Sequence, residues 1–381
     1  MWSNVVGQER VKRILRQALD QRKLPNAYLF TGPSGTGKDA IALELAKALN
    51  CLDPAMKGIE ACDQCENCKA ISTFASPLMQ FIFAIGKDSE DASKKSDDAS
   101  AELIDIIREE LAAKSADPYH DTHIPKAIAI SIGQIRELIM LLSRSMGGQG
   151  KRVVIISEAD TMRAAAQNAF LKTLEEPHEN TIIILTSSNP SHLYPTILSR
   201  CQDLRFDLLS GEEIADVLEH RDGIERQQAE FLGRLSGGSL SVARSLVNQD
   251  VAELRAQVVQ FLRMGLTRSR KNALDEIDKF LPRRGGAFLE KRQNVEQMLQ
   301  LLELWLRDAL ALASGAGSVV FNVDQLDALE RFTSRFGNPA ALIEAIHSVH
   351  AAKRNVALQL QLRPVMLELV MDLERSLVST T

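Results

Sequence analysis

Apolar residues fall into two patterns along this chain, and the change from one to the other comes near residue 209. Before it, short continuous apolar runs alternate with stretches whose apolar positions recur every three or four residues. The runs at 27–30, 79–85, 153–156, 182–185 and about 204–206 predict strands, and their unbroken apolar character predicts burial on both faces. The periodic stretches predict helices at 7–22, with Val11, Ile14, Leu15 and Leu19 on one face, and at 40–49, 132–146 and about 161–174. A further helix at 101–114 carries Leu103, Ile106, Ile107 and Leu111 at helical spacing. Strands alternating with helices imply a parallel sheet covered on both sides, an α/β fold.

After residue 209 the strand pattern stops. Ser210-Gly211-Glu212-Glu213 has capping-box spacing and predicts a helix start. Helices at about 224–235 and 239–247 would complete a three-helix unit. From 251 onward the pattern stays helical, with stripes at Met298, Leu301, Leu302, Trp305 and Leu306 and at Leu358, Leu362, Val365 and Leu369. These predict the core of a bundle. The expected division is 1–208 for the α/β domain, 209–250 for a three-helix lid and 251–381 for an all-α C-terminal domain. Residues 87–100 hold no large apolar side chain, so a polar insertion at about 87–128 is expected to begin with a mobile linker.

The net charge of −5 excludes a polycation that coats nucleic acid, so any DNA contact must come from local patches or partners. No run approaches ~18 uncharged apolar residues, and the first residues lack the charged and apolar regions of a signal peptide. A cytoplasmic protein with no membrane partner is expected. In a reducing compartment the cysteines point to metal rather than disulfides. Cys51, Cys62, Cys65 and Cys68 are spaced C-x10-C-x2-C-x2-C within 51–68, which suits a structural, tetrahedral zinc ion. Cys201 is expected to be a packed thiol, and His120 and His123 surface histidines.

One stretch carries phosphate chemistry. Thr31-Gly32-Pro33-Ser34-Gly35-Thr36-Gly37-Lys38-Asp39 lies between a predicted strand and a predicted helix, the context of a P-loop. Gly32, Gly35, Thr36 and Gly37 would let backbone N–H groups curl around phosphate, and Lys38 would reach the terminal phosphates. The motif places Ser or Thr after the lysine to ligate Mg²⁺, and here stands Asp39. The strand at 153–156 leads to Ser157-Glu158: Glu158 stands where a water-polarising carboxylate belongs, and Ser157 where the Mg²⁺-holding one belongs. Two unit charges ~4 Å apart at an effective dielectric of ~20 interact by roughly 4 kcal/mol, so Asp39 would repel a phosphate unless Mg²⁺ lay between. ATP hydrolysis, weak binding of ATP or ADP, and a retired site all stay open at this point, as does Mg²⁺.

Val6-Gly7-Gln8, residues 24–30 running into the P-loop, the four-cysteine module, residues 168–177 ending Leu174-Glu175-Glu176-Pro177, and Ser199-Arg200-Cys201 occur in that order. Over about residues 4–250 the chain closely resembles the gamma/tau and delta prime clamp-loader subunits of bacterial DNA polymerase III, members of the AAA+ class. The resemblance implies an AAA+ domain, a lid and a collar domain at 251–381. It makes Arg200 an arginine finger given in trans to a neighbour's ATP, Glu158 a vestigial Walker B carboxylate, and Ser187 or Ser188 the first sensor. Ser241 stands at the second-sensor position, with Arg244 one turn later. It implies gamma/tau and delta partners in a hetero-pentamer, with the sliding clamp and primer–template DNA reached through the complex. Asp39, Ser157 and Ser241 depart from the hydrolysing pattern, and no long tail follows the collar-like region. A delta prime type that loads clamps without hydrolysing ATP is therefore expected, with a gamma/tau-like ATPase as the alternative.

Overall fold

The computed structural model describes residues 2–53, 55–56, 59–85, 97–122, 124, 127, 129–144, 150–247, 255–256, 258–262, 277, 288–315, 320, 322, 325–357 and 360–378. The chain forms two compact units, one of residues 1–234 with 238–244 and one of 235–237 with 245–381.

The first unit is built on five parallel strands: β1 (Ala27–Thr31), β2 (Met79–Ile82), β3 (Arg152–Ile156), β4 (Thr181–Ser187) and β5 (Gln202–Arg205). Their order across the sheet is β2-β3-β4-β1-β5. Thus β1 lies between β4 and β5, with Tyr28 opposite Ile184 on one side and Gln202 on the other. The crevice beyond the carboxyl end of such a strand is where open parallel sheets bind ligands. Strands β1 and β4 are buried throughout and β3 from Val153 on, as their continuous apolar runs require, whereas β5 at the edge buries only Leu204.

Around the sheet lie α1 (Glu9–Asp20), α2 (Lys38–Asn50), α3 (Glu66–Ser72), α4 (Asp97–Ala116), α5 (Ile132–Ser143), α6 (Ala164–Glu175) and the short α7 (Pro195–Leu198). Ile135, Leu138 and Leu142 of α5 and Ala166, Phe170 and Leu174 of α6 pack with Val154, Ile156, Ile183 and Leu185 in one core. Then come α8 (Gly211–His220), α9 (Arg226–Leu235) and α10 (Leu240–Val247). The capping box at α8 is formed: Glu213 N donates to Ser210 Oγ at 3.1 Å, and Ser210 N to Glu213 Oε2 at 2.7 Å.

Several element ends differ from the periodicity. The first helix is shorter than 7–22, and β2 stops at Ile82, short of 85. The helix expected from 161 starts at Ala164, because Glu158 takes a left-handed conformation (φ 46°) and a single 3-10 turn, Ala159–Thr161, follows it. The helix expected at 101–114 runs from Asp97 to Ala116. Residues 86–96, which hold most of the expected linker, lie outside the described residues, as do His123, Gly147, Gly148 and Leu358.

In the second unit, α11 (Phe288–Ala313) packs on α12 (Leu326–Phe336) and α13 (Pro339–Ala357), and α13 on α14 (Leu362–Val378). Met298, Leu301, Leu302, Trp305 and Leu306 are buried, and so are Leu362, Val365 and Leu369. Both stripes are bundle core. Partly buried Glu303 is held by Lys353 at 2.5 Å and His350 at 3.0 Å, which keep its carboxyl below the usual range against the opposing effect of burial. No described helix is long and apolar enough to cross a membrane.

Candidate functional site

The glycine-rich loop leaves β1 and turns into α2 with Gly35 (φ 73°) and Gly37 (φ 94°) in the left-handed region. A Cβ on Gly37 would lie 2.8 Å from Tyr119 Oη, so the glycine also permits a close neighbour. Lys38 does not project into open space. Its Nζ donates to Gly32 O (2.9 Å), Pro33 O (3.0 Å) and Ser188 Oγ (2.9 Å), and lies 3.5 Å from Glu158 Oε1. Glu158 in turn accepts from Ser188 through the hydroxyl (3.0 Å) and the backbone N–H (3.2 Å). Thr36 Oγ1 turns back to Pro33 O at 2.8 Å. The residues singled out around the P-loop therefore meet at one place.

Asp39 and Ser157 also meet. Ser157 Oγ donates to Asp39 Oδ2 at 2.8 Å, so the exchange of a carboxylate between β3 and the P-loop is a spatial one. Two residues not anticipated complete the cluster: Thr186 Oγ1 donates to Asp39 Oδ1 at 2.9 Å, and Lys114 Nζ donates to Asp39 Oδ2 at 2.9 Å. The Lys114 side chain is 3% exposed and that of Asp39 14%, so this is a buried ion pair. Burial pushes the Asp39 carboxyl up, but Lys114, with Ser157 and Lys38, outweighs it and holds Asp39 below the usual carboxylate range.

Lys114 arrives on α4, inside the region read as a polar insertion. That region is no appendage: its end folds over the P-loop. Lys114 also donates to His120 O (2.6 Å), Tyr119 Oη accepts from Val6 N (2.8 Å), and Asp121 Oδ1 accepts from Ser34 Oγ (3.5 Å). Burial pushes the Tyr119 hydroxyl up to about 12. The space lined by residues of the P-loop, Lys114, Pro118, Tyr119, Asp121 and Glu158 has a volume of about 20 Å³, room for about one water molecule. A small-molecule pocket is ordinarily ~300 Å³ or more. His120 is half-buried and pairs with Glu110 at 2.9 Å, rather than standing free on the surface.

From the other side, Ser239 and Ser241, whose hydroxyls lie 3.2 Å apart, close on Gly35. Arg244 on α10 reaches Asp117 at 2.6 Å and Asp222 at 2.8 Å.

Arg200 follows α7 on an exposed turn. Its Nη1 donates to Thr196 O at 2.8 Å, and its Nη2 lies 2.5 Å from Glu175 Oε1, the first glutamate of Leu174-Glu175-Glu176-Pro177. Cys201 beside it is partly buried and packs against the sheet core, and burial pushes its thiol up to about 12.

The four cysteine Sγ atoms lie within 4.8 Å of one another. Cys51 ends α2, Cys65 caps α3 and Cys68 lies in its first turn. Zn–S bonds of roughly 2.3 Å at tetrahedral angles give sulfur–sulfur edges of about 3.8 Å, and Cys62 and Cys68 stand 4.0 Å apart. The donor set fits one ion. Backbone N–H groups of Cys65 and Cys68 donate to the Cys62 and Cys65 sulfurs at 3.3 and 3.4 Å, while burial pushes the Cys51 and Cys68 thiols up. The Cys65 and Gln64 N–H groups hold the Cys62 thiol down to about 6. The module is stitched to its surroundings by Trp2 Nε1 on Ile59 O (3.1 Å) and by Lys47 between Glu44 (2.7 Å) and Asp63 (2.6 Å). This group can hold a metal ion.

A glycine-rich loop at the end of a switch-point strand, with its lysine turned toward a glutamate after the next-but-one strand, defines a P-loop α/β protein. Comparison with known proteins narrows this. The chain belongs to the DNA polymerase III delta subunit family, whose model, described as "DNA polymerase III, delta subunit", matches residues 7–210; the corresponding C-terminal model matches 266–361. It is 28% identical over 368 residues to the DNA polymerase III subunit delta' of Bacillus subtilis, covering 96% of each chain. It is 32% identical over 236 residues to that of Pseudomonas aeruginosa, covering 62% of this chain and 60% of that one. To the DNA polymerase III subunit tau of Escherichia coli it is 31% identical over 264 residues, 68% of this chain but only 34% of the relative.

Proposed function

We propose that this chain acts as a delta prime-type subunit of a DNA polymerase III clamp loader, helping to load the sliding clamp onto primed DNA without hydrolysing ATP itself. The observation that carries the non-hydrolysing reading is the buried Lys114–Asp39 pair beneath the filled P-loop. A cation already bonded to Asp39 and a space of only about 20 Å³ beside the loop support this reading, because Mg²⁺ would have to compete with Lys114 for the carboxylate. A gamma/tau-like ATPase would have to move α4 and residues 117–121 first. Residues 1–208 then serve as a scaffold, 209–250 as a lid, and 251–381 as the collar that joins gamma/tau and delta partners in a hetero-pentamer. Clamp and primer–template DNA are engaged through that complex in the cytoplasm.

Arg200 is the residue that acts on a partner. It is exposed, on the turn after α7, and its guanidinium suits the charge on a phosphoryl group in transfer. In a reconstituted loader, Arg200→Ala should lower DNA-stimulated ATP hydrolysis at the adjoining site by roughly 10³-fold or more, with assembly intact, while Lys38→Ala leaves that site's turnover unchanged. Hydrolysis unaffected by Arg200→Ala would defeat the finger role. ATP turnover by the isolated chain that vanishes with Lys38→Ala would favour the ATPase.

The cysteine module holds structural zinc in this reading, since four thiolates leave no coordination place for water. Elemental analysis should find about one zinc per chain, lost in the Cys62→Ser/Cys65→Ser variant. Metal-free protein with unaltered stability would sink it.

A further inference from the structure

Residues 114–121 touch three separate parts of the first unit. Lys114 sits on Asp39, where the P-loop and the end of β3 converge; that is where a P-loop protein places Mg²⁺. Tyr119 lies against Gly37, its hydroxyl also joined to Val6. Asp117, which accepts from Tyr119 N at 2.9 Å, presents its carboxylate to Arg244 of α10 at 2.6 Å. The charges fall in the order of a metal–nucleotide complex: a cation against the P-loop carboxylate beside the end of β3, then an anion against an arginine on the far helix.

We propose that residues 114–121 are a resident surrogate for nucleotide and metal, with Lys114 in the place of the cation, Tyr119 over the glycine cradle and Asp117 clamping α10 through Arg244. The sheet and helices α8–α10 are then held together constantly, rather than in response to ATP. Asp222 grips the same arginine at 2.8 Å but belongs to the turn after α8, so it braces α8–α10 internally and makes no link to the P-loop. The difference between the two aspartates is the handle for a test. The inference builds on the non-hydrolysing reading, but it concerns the isolated chain, so it can fail while Arg200 still serves a partner, and the reverse.

The experiment is hydrogen exchange on the full chain, followed at residues 33–39 and 240–247, with and without millimolar Mg²⁺–ATP. Wild-type protein should show 33–39 protected without nucleotide, and Mg²⁺–ATP should change neither segment. Asp117→Asn should speed exchange at both 33–39 and 240–247 by about tenfold, the loss of one charge-assisted hydrogen bond. Asp222→Asn should speed exchange at 240–247 alone. Both aspartates are partly exposed, so neither change threatens folding. Protection of wild-type 33–39 by Mg²⁺–ATP would overturn the proposal. So would an Asp117→Asn variant whose 33–39 exchange matches wild type, or an Asp222→Asn variant that loosens 33–39 equally.

Discussion

The P-loop and the Arg200 turn both grow out of the sheet's central strands and their connections, yet their charges face opposite ways. Around the P-loop, the side chains of Lys38 and Lys114 are only 4% and 3% exposed. At the turn, Arg200 and its partner Glu175 have side chains 32% and 47% exposed. A buried pair is locked, because separating it strands a charge away from water. A surface pair exchanges partners at little cost. The contrast teaches that the cation at the loop is structural, while the one at the turn is available to another molecule.

The largest expected effect therefore lies at the loop. Lys114→Met removes the cation bonded to a carboxylate that Ser157 and Thr186 hold in place, leaving Asp39 in the interior without its directly bonded cation. Urea unfolding of the first unit should report a loss of about 3–5 kcal/mol. A variant that also carries Asp39→Thr removes the stranded charge and should recover much of that loss. Were Lys114→Met to cost less than about 1 kcal/mol, the level of a surface pair, the contrast between the two regions would collapse.

Much of this was legible beforehand. The loop's glycine spacing, the capping box at Ser210 and the clustered cysteines are local patterns, and local patterns are what periodicity and spacing read. The partner of Asp39 was not found, because it lies 75 residues away on a helix assigned to an insertion. A signal existed all the same. Ile107, Leu111 and Lys114 continue one helical stripe by steps of four and three, so the lysine stands on the apolar face. A charge there must be buried against an opposite one, and Asp39, the odd residue of the P-loop, was the carboxylate lacking a cation. Thr186 was hidden for another reason: as a polar residue ending a run of isoleucines it looks like a strand terminus, and only the parallel pairing of β4 beside β1 turns it to the loop. The start of α4 at Asp97 carries no apolar stripe to mark it in the sequence.

The smallest expected effect sharpens the other side. Glu175→Ala removes the carboxylate that Arg200 touches at 2.5 Å, on a surface where double-mutant measurements of ion pairs give about 0.2–1 kcal/mol. Stability should therefore fall by less than about 1 kcal/mol, and high salt should erase the difference, because exposed pairs are screened. Arg200 still bonds the Thr196 carbonyl at 2.8 Å, which ties the guanidinium to its own turn after Glu175 is gone. In the proposed role, the pair with Glu175 is the surface contact that Arg200 would exchange for a partner's phosphate. A loss above about 2 kcal/mol from Glu175→Ala would be the signature of a structural brace. Arg200 would then belong with the loop lysines, among the charges the chain keeps for itself.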